Sequence, residues 1–508
     1  MGCYKTMDLL IIQKVSYTHC RITFDRQSTL AYENYKRVFY LLRREVPGKD
    51  FMPAYRWGQW DGYIEFLNFQ SGLFRVGLLF HIIKLCEDYG MPYKLEDGIV
   101  EFYFNGIPEE QAQTFLQQTK TYSNQQPLTP RNYQTECVIK ALLSKRLLIS
   151  SPTSSGKSLI IYLITKYLQK NQSGRILILV PTISLVSQLY KDFCDYSCNT
   201  NLDWVDCSTN KKDKDKRQVF ISTWQSVIRN TDKEWYSNFS TLIIDECHQA
   251  KAKSILTISD RMHNAQWRFG FSGSIKTNKN DLDTFTINSI FGNYHKSTTT
   301  KELMDAGLVS NIKIKLIEFK YRENLPELLY KDEIRYLCGY EQRNNAIVEI
   351  TKECKNNTLI LFQFVELQGK KLFERLKEQY PEKQVFFVYG DVDVEKREEV
   401  RSYCEKNDNA IIVASYQTFS TGINIKNLHN LIFASPTKSF TRILQSVGRG
   451  LRLKEGKDKC IVYDLYDLMY GDIKNIRTCN YTFKHFLERL KIYKNEGFEV
   501  EFEKSIEI

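Results

Sequence analysis

Apolar and polar residues follow two different patterns along this chain. Residues 1–122 alternate aromatic and polar side chains and are punctuated by turn signals. Trp60-Asp61-Gly62-Tyr63 sets Asp-Gly between strand-like runs, a hairpin signal that Glu96-Asp97-Gly98-Ile99 repeats. Between them, Phe80-His81-Ile82-Ile83-Lys84-Leu85-Cys86 has the spacing of an amphipathic helix that ends near Gly90. These features predict a small α+β module, followed by a polar, proline-containing linker from Thr121 to Pro130.

Beyond the linker the pattern changes to short, continuous apolar runs separated by amphipathic segments. Arg175-ILILV-Pro181, Val219-Phe220-Ile221 and Thr241-LII-Asp245 are apolar on both faces, as strands of a parallel sheet covered by helices must be. The texture returns in Thr358-LILF-Gln363, Val385-FFVY-Gly390, Ala410-IIVA-Ser415, Leu431-IFA-Ser435 and Cys460-IVY-Asp464. The expected architecture is α/β: a module over 1–122, two parallel-sheet lobes over 123–300 and 301–470, and a short helical tail over 471–508. A chain of 508 residues is long enough for several cores.

Composition adds a direction. Hydrophobic residues at 42% and charged residues at 26% are those of a folding chain, and the net charge of +11 favours an acidic polymer as partner. No apolar run is long enough to span a bilayer and no secretory signal is visible, so the expectation is a cytoplasmic protein without a membrane partner. The opening residues fit a myristoylation pattern through Gly2 and Thr6, but Met7 begins a strand pattern and the first six residues read better as an extension or a misjudged start. The 13 cysteines are scattered; Cys194, Cys198 and Cys207 lack paired spacing and a fourth ligand, which predicts reduced thiols and no zinc. The charged run from Lys211 to Arg217 reads as a solvated loop.

The chemistry begins after the strand-like Arg146-LLIS-Ser150. Ser151-Pro-Thr-Ser-Ser-Gly-Lys-Ser158 is a small-residue loop that runs into a helix, and such a loop offers backbone N–H groups and a positive helix end to phosphates. Within it Ser154, Ser155 and Gly156 line the approach, Lys157 reaches the β- and γ-phosphates, and Ser158 is placed to ligate Mg²⁺. Ser151 stands where the usual Walker A pattern has its first glycine. A second element follows the apolar Leu242-Ile-Ile244: Asp245-Glu246-Cys247-His248 at a strand's carboxyl end, where open parallel sheets bind ligands. Asp245 would hold Mg²⁺ through its water shell, and Glu246 would orient and deprotonate the attacking water.

Together, the Lys157 loop and Asp-Glu-Cys-His resemble the DExH group of superfamily 2 helicases, and further motifs follow in that family's order over 131–452. Arg131, Tyr133 and Gln134 resemble the adenine-reading segment. Val180-Pro-Thr-Ile-Ser-Leu-Val-Ser-Gln188 resembles motif Ia and Ser222-Thr-Trp-Gln225 a strand-contacting motif. Ser272-Gly-Ser274 resembles motif III, Phe362-Gln-Phe364 motif IV, Ser420-Thr-Gly-Ile-Asn424 motif V and Gln445-Ser-Val-Gly-Arg-Gly-Leu-Arg452 motif VI. More narrowly, Phe51-Met-Pro-Ala-Tyr-Arg-Trp-Gly-Gln-Trp-Asp-Gly62 and Ala414-Ser-Tyr-Gln-Thr-Phe-Ser-Thr-Gly422 resemble the UvsW-type phage DNA helicases.

The resemblance implies two RecA-like lobes that use ATP and Mg²⁺, with Gly422 and Gln445 at the nucleotide. Arg449 and Arg452 then face it from the second lobe, where an arginine finger contributes on the order of 10³–10⁵ in rate. His248, Ser272 and Ser274 would couple hydrolysis to movement. Thr182, Gln188, Thr223, Gln225 and Phe364 would touch a nucleic-acid strand. Asn424 stands where the wider superfamily often has Asp. The implied substrate is DNA, branched or single-stranded and bound largely without regard to sequence, with RNA–DNA hybrids and recombination or replication proteins as further partners. Arg56, Trp57 and Trp60 are the module's own candidates for DNA contact, with packing of the hairpin as the competing role for the two tryptophans. A DExH RNA helicase and an annealing or scaffolding protein are the alternative readings.

Overall fold

The computed structural model describes residues 8–198, 202–208, 217–249, 252–273, 281–322, 325, 327–390, 392–418, 425, 427–437, 448, 459–471 and 473–508. The chain forms two compact units, one of Met1–Ser151 and Gly156–Ser297, the other of Pro152–Ser155 and Thr298–Ile508.

In the first unit the N-terminal module is α+β, as the alternating pattern predicts. Its four-stranded sheet runs in the order Leu73–Arg75, His19–Thr23, Leu10–Lys14, Tyr93–Leu95. The first two pairings are antiparallel and the last is parallel. Leu10, Ile12, Ile22, Val38, Leu79 and Ile82 form its buried centre under helices Thr29–Leu41 and Leu79–Asp88.

Both Asp-Gly signals mark turns, but neither makes a tight hairpin. Asp61-Gly62 leads into strand Tyr63–Glu65, whose partner is Arg43–Glu45, with two short helical turns, Lys49–Phe51 and Pro53–Arg56, in between. Asp97-Gly98 opens the helix Ile99–Phe104, with Gly98 at φ 69°. A left-handed glycine serves a helix start as well as a hairpin, so the dipeptide alone does not decide. The expected linker contains the true two-residue hairpin. Thr121–Ser123 pairs antiparallel with Gln126–Leu128 around Asn124 and Gln125, both left-handed at φ 50° and 65°.

The module shares its core with the lobe that follows. Phe285, on the helix Leu282–Phe291, is buried against Phe66 at a ring separation of 4.7 Å and under the Arg44 guanidinium at 3.8 Å. Arg146 is buried and donates to the carbonyls of Tyr17 and Ile290, which ties strand Arg146–Ser150 to the module. Arg75 adds an ion pair to Asp260 at 2.6 Å.

The lobe itself is a seven-stranded parallel sheet. Its order is Val205–Cys207, Val219–Thr223, Arg175–Val180, Phe239–Ile244, Trp267–Ser272, Arg146–Ser150, Tyr294–Lys296. The helix Lys157–Asn171 is covered nearly all round, with Leu159 to Thr165, Tyr167 and Leu168 all buried. A helix so enclosed fixes where its first turn, and thus the phosphate loop, must lie.

The second unit is also built on seven parallel strands, in the order Gln384–Val388, Ala410–Ser415, Thr358–Phe362, Asn430–Phe433, Lys459–Leu468, Asn311–Lys320, Glu499–Glu507. The expected C-terminal helix is Tyr481–Glu496. It is pinned by Arg489, which pairs with Asp464 at 2.7 Å with both groups buried, while Tyr493 donates to the same carboxylate at 2.7 Å. The tail then continues as the strand Glu499–Glu507, which lies parallel to Asn311–Lys320. Its alternating acidic residues face lysines of the neighbouring strand: Lys313 meets Glu501 at 2.8 Å and Lys315 meets Glu503 at 2.8 Å. That charge pattern hides the strand from a search for apolar runs. Among the described residues no helix is long and apolar enough to cross a membrane.

Candidate functional site

The first lobe brings its sequence-predicted chemistry to the carboxyl end of the parallel sheet. Strand Arg146–Ser150 delivers the loop that begins at Ser151, whose N–H donates to Ser272 O at 2.9 Å. The loop turns through two left-handed residues, Ser154 at φ 67° and Gly156 at φ 79°. Helix Lys157–Asn171 begins immediately afterwards, so its free N–H groups and positive end face the loop.

Gly156 is required twice over. Its φ suits glycine, and a Cβ there would lie 2.4 Å from Gln134 Nε2. Gln134 is itself fixed: it is buried in the first turn of helix Asn132–Ser144, and its Oε1 accepts from Arg131 N at 2.9 Å. Arg131 also donates to Tyr133 OH at 3.1 Å. The segment expected to read adenine therefore packs directly on the phosphate loop.

The acidic pair lies where the sequence predicts. Asp245 N donates to Leu179 O at 2.9 Å as strand Phe239–Ile244 ends. Glu246 comes next with its backbone left-handed at φ 48°, a conformation that costs a non-glycine residue energy and recurs at functional sites. Lys157 Nζ binds the Glu246 carboxylate directly and lies 3.7 Å from Asp245 Oδ1. Burial alone pulls the Lys157 amine down, but Glu246 and Asp245 outweigh it and hold it above the ordinary lysine value. Burial likewise pushes the Glu246 carboxyl up, yet Lys157 and His248 together hold it below its usual range. Asp245 goes the other way: burial raises it to about 6 against the pull of Lys157.

A further chain of contacts leads away from Glu246. His248 Nδ1 lies 3.4 Å from Glu246 Oε2 and 2.6 Å from Ser272 Oγ. Gly273 N donates to Glu246 Oε2 at 3.3 Å. Burial, the largest influence on His248, lowers its pKa and favours the neutral ring. Motif III is thus joined to the acidic motif through two independent bonds.

Ser158 has a partner that the sequence did not reveal. Its Oγ is 2.7 Å from the hydroxyl of Tyr196, at the end of helix Ile183–Tyr196. Tyr196 is 38 residues from Ser158 and carries no motif signal, so only the packing of two helices brings it there. A serine hydroxyl and a carboxylate are the hard oxygen donors that Mg²⁺ takes alongside phosphates and water, so Ser158 and Asp245 fit that ion. Among the described residues no cluster of three or more His, Cys, Asp and Glu could form a complete metal cage, and Mg²⁺ at a phosphate site does not require one.

The candidate strand contacts fall into two groups. Thr182 caps helix Ile183–Tyr196, on which Gln188 is exposed, and exposed Gln225 donates to Pro181 O at 3.2 Å, which brings Gln225 beside Thr182. Thr223 is buried and its hydroxyl is engaged with Ser226. Phe364, in the second unit, is half-buried with the Arg335 guanidinium 5.8 Å from its ring.

In the N-terminal module, Trp57 is 73% exposed beside exposed Arg56, whereas Trp60 is half-buried and donates Nε1–H to Tyr63 O at 2.8 Å. The two tryptophans therefore differ in kind. Phe51, 86% exposed on the same segment, carries no signal in the sequence that singles it out. Ser274, Gly422, Asn424, Gln445, Arg449 and Arg452 lie outside the described residues, as do the first seven residues and most of the charged run before Arg217.

Comparison with known proteins agrees with this arrangement. Residues 127–277 match the family described as type III restriction enzyme, res subunit; 342–454 match the helicase conserved C-terminal domain; and 17–96 match the N-terminal domain of the DNA helicase UvsW. The ATP-dependent DNA helicase uvsW of Enterobacteria phage T4 is 34% identical over 471 residues, which cover 89% of this chain and 92% of that protein. The crystal structure of T4 UvsW aligns with 98% of this chain and 99% of its own at a TM-score of 0.52 and 30% identity. A fragment of a putative HsdR subunit of a type I restriction enzyme from Vibrio vulnificus shares the fold at 17% identity and a TM-score of 0.55, over 88% of this chain and 78% of its own. The chain belongs to the UvsW family of superfamily 2 helicases.

Proposed function

We propose that this protein is an ATP-dependent DNA helicase or translocase that works on branched DNA, such as forks and four-way junctions, in recombination and repair. The observation that carries this reading is the convergence of Lys157, Ser158, Gln134, Asp245 and Glu246 at one end of one parallel sheet. RNA–DNA hybrids belong to the same substrate class, since backbone contacts read shape and charge more than sequence.

Each residue has its own part in the reaction. The ammonium of Lys157 leaves Glu246 for the β- and γ-phosphates, and the loop N–H groups surround them. Freed of its cation, the Glu246 carboxylate becomes a better base. It takes a proton from water as the water oxygen bonds to the γ-phosphorus and the bond to the β–γ bridging oxygen breaks. Bound Mg²⁺, held by Ser158 and through water by Asp245, would neutralise phosphate charge. Arg449 and Arg452, which lie outside the described residues, would be the source of further positive charge for the transition state that the family resemblance implies. His248 and Ser272 carry the change at Glu246 into strand Trp267–Ser272, whose end leads to Ser274. Gln134, with Arg131 and Tyr133, selects the base.

An assay of ATP hydrolysis and unwinding on single-stranded, duplex, forked and four-way DNA and on RNA–DNA hybrids tests the proposal. It expects hydrolysis stimulated by DNA and unwinding greatest on branched substrates. Equal activity on RNA duplexes, or hydrolysis indifferent to any nucleic acid, would overturn it.

A further inference from the structure

A groove of about 750 Å³ opens on the first unit, away from the phosphate loop, between helix Glu109–Gln118, the residues just after it, and the far end of helix Lys157–Asn171. Lys120, Lys166 and Lys170 line it, and among the described residues no carboxylate does. Asp195, two residues from the lining Ser197, is turned to the amide of Asn124 at 2.7 Å. Among the described residues none of the three lysines has an ion-pair partner. Lys166 is half-buried; its amine donates to the hydroxyl of Tyr162 at 3.1 Å and lies 5.3 Å from the centre of the same ring. Burial, and then the charge of Lys170, hold that amine below the ordinary lysine value. A chain of +11 has cations to spare on its surface, but these three converge on one concavity, and one of them bears a desolvation cost with no described anion to offset it.

Helix-dipole pairing accounts for Lys170, which lies in the last turn of its helix. It does not account for Lys166, one turn earlier, or for Lys120, which is outside any helix. The rest of the lining is also informative. Phe115 and Tyr122 are half-exposed aromatics and Gln118 is an exposed amide. Cations that track a backbone, with aromatic faces and amide donors between them, are what a single strand of nucleic acid requires.

We infer that this groove is a second nucleic-acid site, which takes the sugar-phosphate backbone of a DNA strand on Lys120, Lys166 and Lys170 with a base against Tyr122. Lys166 and Lys170 lie nine and thirteen residues along the helix from Lys157, about 14 and 20 Å at 1.5 Å per residue, so the groove is separate from the nucleotide site. The strand held there is gripped by the same rigid helix whose first turn carries the phosphate loop. The inference rests on the DNA-motor reading for its biological sense, but the binding itself can be measured without it.

Lysine footprinting of the full-length protein tests it. A trace amine-acylating reagent is applied with no additive, with a 30-nucleotide DNA strand, or with millimolar inorganic phosphate, and modification is mapped by peptide mass. Protection of Lys166, Lys120 and Lys170 by the strand and not by phosphate is the expected result. Protection by phosphate alone would mark a small-anion site and overturn the proposal, as would no protection at all. In parallel, Lys120→Gln/Lys166→Met/Lys170→Gln should weaken binding of the strand about tenfold near 0.1 M salt. The slope of log affinity against log salt should become shallower by about two, since each lost phosphate contact on a single strand is worth about 0.7. Lys120→Glu/Lys170→Glu changes only exposed positions and guards against misfolding of the triple variant; an unchanged slope in both overturns the inference. ATP hydrolysis without DNA should remain at the parent rate in every variant. If the parent itself shows no DNA-stimulated hydrolysis, the motor reading fails while the footprint still decides the groove.

Discussion

The ammonium of Lys157 rests on the carboxylate of Glu246, so the cation expected on the phosphates and the base expected on water hold each other. A phosphate that draws Lys157 away therefore also releases Glu246. Lys157→Ala should lower ATP turnover by about 10²-fold or more, the usual loss for a preorganised charge contact. Binding of DNA without nucleotide should be unaffected, since no candidate strand contact is lost. Rapid hydrolysis by this variant would remove the loop from the chemistry.

Glu246→Gln keeps the shape of the side chain and removes the base. Turnover should fall by about 10²–10⁴-fold while ATP still binds. Fluorescent-nucleotide binding and single-turnover hydrolysis, measured side by side, separate the two effects. A variant that hydrolyses normally would place the base elsewhere.

Phe285 belongs to the helix Leu282–Phe291 of the first lobe, yet it packs in the core of the N-terminal module. Phe285→Ala should destabilise the first unit by about 3–5 kcal/mol, as buried phenylalanine truncations do. Chemical denaturation of the full chain should show the loss, and limited proteolysis should cut first within 8–120. The same packing predicts that a chain truncated to start at Ser123 aggregates, because it exposes Phe285 and strips Arg146 of the Tyr17 carbonyl. An unchanged denaturation midpoint for Phe285→Ala would show that the module docks without it.

Trp57 and Trp60 should respond oppositely to the same substitution. Trp57→Ala removes an exposed ring and should leave thermal stability unchanged; if the ring stacks on a base, affinity for forked DNA should drop by about 1–3 kcal/mol. Trp60→Ala removes the bond to Tyr63 O and should lower stability first. Equal loss of fork affinity with equal stability in both would contradict the difference in their surroundings.

The sequence was most legible where one physical demand governs a run of residues. Strands covered on both faces need apolar interiors, and Arg175–Val180, Thr358–Phe362 and Ala410–Ser415 have them, with Arg175, Thr358 and Ser415 at their ends. The phosphate loop and acidic motif are legible because chemistry fixes residue type and order together. Contacts made only in three dimensions left no such trace: Tyr196 on Ser158, Gly273 N on Glu246, and Phe285 in another element's core. Glu499–Glu507 escaped for a different reason, as its pairing relies on charge facing charge instead of apolar content. The Asp-Gly signals do mark turns but not hairpins, because a left-handed glycine reports its own backbone and not the element after it.

The contact between Gly156 and Gln134 leaves no room for even a methyl group, so the loop cannot settle around phosphates unless the amide is also in register. If Gln134 reads the base, recognition of the base and grip on the phosphates are not separate checks made one after the other. A nucleotide with the wrong base would then be rejected less by failing to bind than by binding in a loop slightly out of shape. Its penalty would appear in the rate of turnover, and the motor would idle on such a nucleotide while still holding it.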